Sequence, residues 1–117
     1  MPLKLNISGE VICARLSGEI DHHSARALRE ELDAAITRVR PELLELDFSA
    51  VTFMDSSGIG LIMGRCRAME EYGGAVRISG VSAQLRKVLR LSGIDRIAAI
   101  DAARRSEAAE PREDGER

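Results

Sequence analysis

The sequence predicts an α/β domain built on a mainly parallel sheet of four or five strands, opened by an antiparallel N-terminal hairpin and packed with helices. Three observations lead there. Short apolar segments of strand length alternate along the chain with segments whose apolar residues recur at helical spacing. The first two strand-like segments are separated only by Gly9-Glu10, a turn too short for a helix. Hydrophobic residues make up 44% of 117 residues, yet there is no Trp, one Tyr and two Phe, so the core must be aliphatic.

Leu3 to Ser8 alternates apolar and polar residues, as a half-exposed strand does, and Val11 to Ser17 continues the hairpin. Leu28, Leu32, Ala35, Ile36 and Val39 then mark one face of a helix, with Ser24 as its cap and its end near Arg40-Pro41. Leu43 to Phe48, bounded by Pro41 and Ser49, has the composition of a fully buried strand. Ile59, Ile62, Met63, Cys66 and Met69 define a second helix, stopped by Gly73-Gly74. Ala75 to Ser79 is a further strand, and Ser82 caps a third helix with Leu85, Val88 and Leu89 inward, closed by Gly93. Ile97 to Ile100 is the last strand. From Arg104 onward nine of fourteen residues are charged, so residues 1–103 form the domain and 104–117 a solvated, disordered tail.

Composition excludes several functions. The net charge is -2, without the basic excess or stacking aromatics of a nucleic-acid binder. No stretch approaches the roughly 20 apolar residues of a membrane span, and no basic lead precedes an apolar run at the N-terminus. A cytoplasmic protein is expected, with Cys13 and Cys66 as reduced core residues. The chain has only two histidines, His22 and His23, with no cysteine in their loop, so metal binding is not expected. Neither a phosphate-binding glycine loop nor the Gly-x-Ser-x-Gly pattern is present, which leaves a serine hydrolase built on Ser56 with Asp55 and a histidine as a remote alternative.

In a parallel sheet the loops at the carboxyl ends of the strands share one edge, and partners meet the protein there. That edge brings together Gly18 to Ser24, Met54 to Gly58 and Gly80 to Ser82, and so sets Asp21-His22-His23 near Asp55-Ser56-Ser57. Asp55 or Ser56 serves as a helix cap. A hydroxyl in that position is also open to modification, because a phosphate there meets free amides and the positive end of the helix dipole. It would add about -1.5 to -2 charge. Ser57, Gly58 and Gly60 leave the backbone unscreened for a flat partner, and Ile59 and Leu61 add apolar area.

Gly18-Glu19-Ile20-Asp21-His22-His23-Ser24-Ala25, followed by Phe53 to Gly60, Gly64-Arg65 and Gly73-Gly74, resembles the STAS-domain anti-sigma factor antagonists over residues 3 to 100. Asp-His-His before the first helix is most similar to the sporulation members, which act on sigma F, rather than the general-stress members. The resemblance implies a STAS-like fold and partner switching without catalysis. The unphosphorylated protein, a monomer when free, binds an anti-sigma factor that is also a serine kinase, and so frees the sigma factor. That kinase holds the ATP and phosphorylates Ser56, the antagonist then lets go, and a phosphatase reverses the change. The implied contact surface is Asp21, His22, His23, Ser24, Met54, Asp55, Ser57, Gly58, Ile59 and Leu61, with no metal or cofactor. For Asp21 a turn or capping role and a kinase contact both stand. A general-stress antagonist or a STAS scaffold that is never phosphorylated are the alternatives.

Overall fold

A computed structural model describes residues 2–101; the expected charged tail lies outside them. The order is β1 (Leu3–Ser8), β2 (Val11–Ile20), α1 (His22–Val39), β3 (Leu43–Met54), α2 (Ser56–Glu70), β4 (Ala75–Ser79), α3 (Ala83–Leu91), a 3-10 turn (Ile94–Arg96) and β5 (Ala99–Ile100). The strands lie in sequence order in one five-stranded sheet. β1 and β2 are antiparallel and every other neighbouring pair is parallel, as expected. Crossovers of one hand between successive strands carry their helices to one side of the sheet, and α1 and α2 pack against each other there.

Alternation in the strands decides what that side covers. Ile12, Ala14 and Leu16 of β2, Leu44, Leu46 and Phe48 of β3, and Val76 and Ile78 of β4 point inward. They meet Leu28, Leu32 and Ile36 of α1 and Ile62, Cys66 and Met69 of α2 in one aliphatic core. Each such side chain, fully buried, contributes roughly 1.5–3 kcal/mol. The intervening residues face the other way, apolar at the strand starts (Val11, Leu43, Ala75) and mostly polar beyond them. Arg77 Nη1 lies 3.7 Å from Glu45 Oε1 and its Nε 3.9 Å from Asp101 Oδ1, while Ser79 Oγ donates to Glu45 Oε2 at 2.9 Å. Leu43 to Phe48 is therefore buried on one face only, because Glu45 and Asp47 need water or charge partners. Cys13 likewise sits half-buried on this polar face rather than in the core; Cys66 is buried, and both are free thiols. Burial, then the carboxylates of Glu45 and Asp47, push the Cys13 thiol up.

Several boundaries differ from the sequence reading, among them the end of β2, which runs to Ile20 rather than Ser17. The first helix starts at His22, with Asp21 rather than Ser24 as its N-cap. β3 continues past Phe48 to Met54, because its pairing with β2 shifts twice, between Arg15 and Ser17 and between Gly18 and Glu19. Each shift inserts a residue and resets the inward-outward alternation, which hides the extension from a period-two pattern. Val88 is 45% exposed and Ile97 50%, so neither joins the core. Ile97 is excluded from β5 by the preceding 3-10 turn, which leaves a strand of only Ala99–Ile100.

Candidate functional site

β4 pairs with β3 only as far as Asp47↔Ser79, whereas β2 follows β3 to Ile20↔Met54. The β2–β3 ribbon thus projects beyond the rest of the sheet, and the starts of α1 and α2 sit together at its tip. Asp55 N–H donates to Ile20 C=O at 3.1 Å and locks the two loops side by side. The expected meeting of Asp21-His22-His23 with Asp55-Ser56-Ser57 is what the chain forms. The third loop, Gly80 to Ser82, is set back. Gly80 takes a left-handed φ of +72°, and a Cβ there would meet Asp47 Oδ1 at 2.7 Å and Ser49 N at 2.8 Å.

At α1, Asp21 Oδ1 accepts from His23 N at 3.0 Å and Ser24 N at 2.9 Å, while Asp21 N donates to Ser24 Oγ at 3.0 Å. This is a capping box. Ser24 Oγ also donates to Glu19 C=O at 3.0 Å, tying the helix start to β2. The Ser24 amide first, then its hydroxyl and the His23 amide, hold the Asp21 carboxyl below the usual aspartate range, against a smaller opposing effect of burial.

At α2, Asp55 is the N-cap and its Oδ1 accepts from Ser57 N at 2.8 Å. Ser56 is thereby relieved of the capping role that the sequence left open to it. It is the first helical residue, exposed, and its hydroxyl has no hydrogen bond among the described residues. Gly58 is buried against the side chain of Met54, which fills the space a Cβ would need. Gly60, one turn on, has nothing within 4 Å of its would-be Cβ.

Of the expected contact residues, His22 and His23 are exposed, and Asp21, Ser24, Met54, Asp55, Ser57 and Ile59 are partly so. Gly58 and Leu61 are corrections. Leu61 is 4% exposed because it turns toward the core, so it forms floor rather than apolar surface. Between α1 and α2 opens a cleft of about 480 Å³ lined by His22, Ala25, Arg26, Arg29, Ser57, Gly60 and Leu61. One turn further along, Arg65 of α2 is buried at 5% exposure, and its Nε reaches Asp33 Oδ1 of α1 at 3.0 Å. The pair is close in charge but not aligned as a hydrogen bond, and Arg65 Nη1 has no partner. Burial lowers the Arg65 pKa, Asp33 works against that, and Arg29 adds to it. Sequence reasoning quoted Arg65 only within the Gly64-Arg65 match and missed Arg26 and Arg29. Their signal was the spacing of His22, Arg26, Arg29 and Asp33, which fall on one face of α1.

A single-layer sheet covered by helices on one side, with a free serine on an aspartate-capped helix at its projecting tip, defines a STAS-type domain. The chain belongs to the STAS domain family, whose model matches residues 3–107, and within it to the anti-sigma factor antagonists. It is 38% identical over 90 residues to the anti-sigma F factor antagonist of Paenibacillus polymyxa, covering 77% of each chain. To the anti-sigma-B factor antagonist of Bacillus subtilis (strain 168) it is 30% identical over 91 residues, 78% of this chain and 82% of the relative. Among solved structures it is similar to the anti-sigma factor antagonist SpoIIAA in its unphosphorylated form, with a TM-score of 0.75 and 32% identity over 86% of this chain and 88% of that one. SpoIIAA of Bacillus in the phosphorylated form matches with a TM-score of 0.69 at 32% identity, over 86% and 91% of the two chains. No helix among the described residues is long and apolar enough to cross a membrane, and no group of metal-ligating side chains occurs among them.

Proposed function

We propose that this chain is an anti-sigma factor antagonist that works by partner switching in the cytoplasm, and that Ser56 is its switch. Unphosphorylated, it binds an anti-sigma factor that is also a serine kinase and frees the sigma factor. The kinase supplies ATP, transfers phosphate to Ser56, and loses its grip; a phosphatase restores the starting state. The chain itself catalyses nothing.

One observation carries this reading. Ser56 stands exposed and unbonded on the first turn of α2 while Asp55 does the capping. Phosphorylation there costs no internal hydrogen bond, and the helix amides accept the new charge. The same charge, about -1.5 to -2 and beside Asp55, faces any docked partner. A penalty of about 3 kcal/mol suffices for roughly hundredfold weaker binding. The anti-sigma factor antagonists among its relatives support the antagonist class, and identity of 38% to an anti-sigma F factor antagonist against 30% to an anti-sigma-B factor antagonist favours the sporulation circuit over general stress.

The test is to incubate the purified chain with candidate anti-sigma kinases and ATP. A single phosphoserine peptide containing Ser56, absent from Ser56→Ala, is expected. Labelling that persists undiminished in Ser56→Ala contradicts the assignment.

A further inference from the structure

His22, Arg26 and Arg29 line one wall of the α1–α2 cleft, in a chain whose net charge is -2. The two arginines are not there to balance neighbours. Arg29 has no carboxylate partner among the described residues, and Arg26 has only Glu30, at 3.9 Å and with both side chains well exposed. Such an exposed pair contributes little. Arg65 lies one turn deeper, buried against Asp33 and outside the cleft's lining, so that pair does not cancel the charge of the two arginines. The opposite wall carries the first turn of α2, the positive end of a helix dipole. Gly60 in that wall contacts nothing where a side chain would sit, although glycine inside a helix is destabilising relative to alanine. Nothing within the described fold offsets that cost; it keeps the wall flat and open.

We propose that this cleft is a docking site for an acidic segment of the anti-sigma partner, whose carboxylates seat against Arg26 and Arg29. The inference rests on the partner-switching reading and deepens it: recognition falls to the α1 cations, and release to Ser56 at the neighbouring rim. The cleft is an open trough between two helices without the glycine-rich amide cradle that holds a nucleotide phosphate, which favours carboxylates of a macromolecule. Opposite charges across such a contact speed encounter and fix register.

The experiment is calorimetric titration of nucleotide-free anti-sigma kinase with the full-length chain, its Arg26→Glu/Arg29→Glu variant, and Arg38→Glu/Arg90→Glu as a control of equal charge change on exposed positions away from the cleft. Circular dichroism verifies folding, and Arg26→Lys/Arg29→Lys serves as a second, milder variant. The cleft reversal is expected to weaken binding roughly 30-fold and to flatten its salt dependence. The control and the lysine variant should stay within about threefold of wild type. Wild-type affinity in the reversal overturns the proposal, and if Ser56 is still phosphorylated the switch reading survives that failure. A defect seen only when the kinase carries ATP also overturns it, since the cations would then be reading nucleotide phosphate. If the unmodified chain neither binds the kinase nor is phosphorylated, both readings fall together.

Discussion

The starts of α1 and α2 begin with the same residue type and end up with opposite character. Asp21 caps α1 and Ser24, three residues on, returns a bond to the Asp21 amide, so the start is sealed. Asp55 caps α2, but the residue three on is Gly58, which has no side chain to return anything. It cannot be a serine or glutamate either, because the Met54 side chain occupies that space. One start is a joint that ties a helix to β2. The other is left open, with an exposed hydroxyl beside the cleft. An aspartate cap alone therefore says little about function; the side chain three positions later decides.

That contrast can be broken by substitution. Gly58→Ala should have the largest effect, about 2 kcal/mol of lost stability in urea unfolding, because Met54 and the Asp55 turn must shift. A loss below about 0.5 kcal/mol would mean that Met54 swings aside freely. Next, Asp21→Ala should lower stability about twice as much as Asp55→Ala, since the Asp21 carboxylate accepts two backbone N–H groups and the Asp55 carboxylate one. Equal losses would show that the second accepted bond contributes nothing. Ser56→Ala should change stability by no more than about 0.3 kcal/mol, as its hydroxyl is not the cap.

The smallest effect is one of pH. Hydrogen bonds to the charged form hold Asp21 below its ordinary range. Its contribution to folding is therefore complete above pH ~4 and disappears as the pH falls through the lower, folded value. Melting temperatures recorded from about pH 2.5 to pH 7 should fall less steeply at the acid end in Asp21→Asn than in wild type. An unchanged slope would remove Asp21 from the acid response.

Much of this was legible in the sequence, for identifiable reasons. Helical spacing of aliphatic residues located all three helices, and the short Gly9-Glu10 turn located the hairpin. The neighbourhood of Asp21 and Ser56 followed from the rule that loops gather at the carboxyl edge of a parallel sheet. What escaped depends on tertiary pairing. The two register shifts that carry β3 to Met54 arise between strands, not within one. The polar outer face, with Cys13 beside Glu45, becomes visible only when strands are placed in register. The choice between Asp21 and Ser24 as cap needed backbone angles, because the two residues bond each other. Arg26 and Arg29 join a site only where α2 lies beside them.

The proposed switch requires that negative charge at Ser56 repel the partner. The direct measurement is the calorimetric affinity of one anti-sigma kinase for the unmodified chain and for the chain phosphorylated stoichiometrically at Ser56, with matched folding by circular dichroism. Binding weaker by about a hundredfold or more after phosphorylation is predicted, corresponding to about 3 kcal/mol. Equal affinity of the two forms would contradict it.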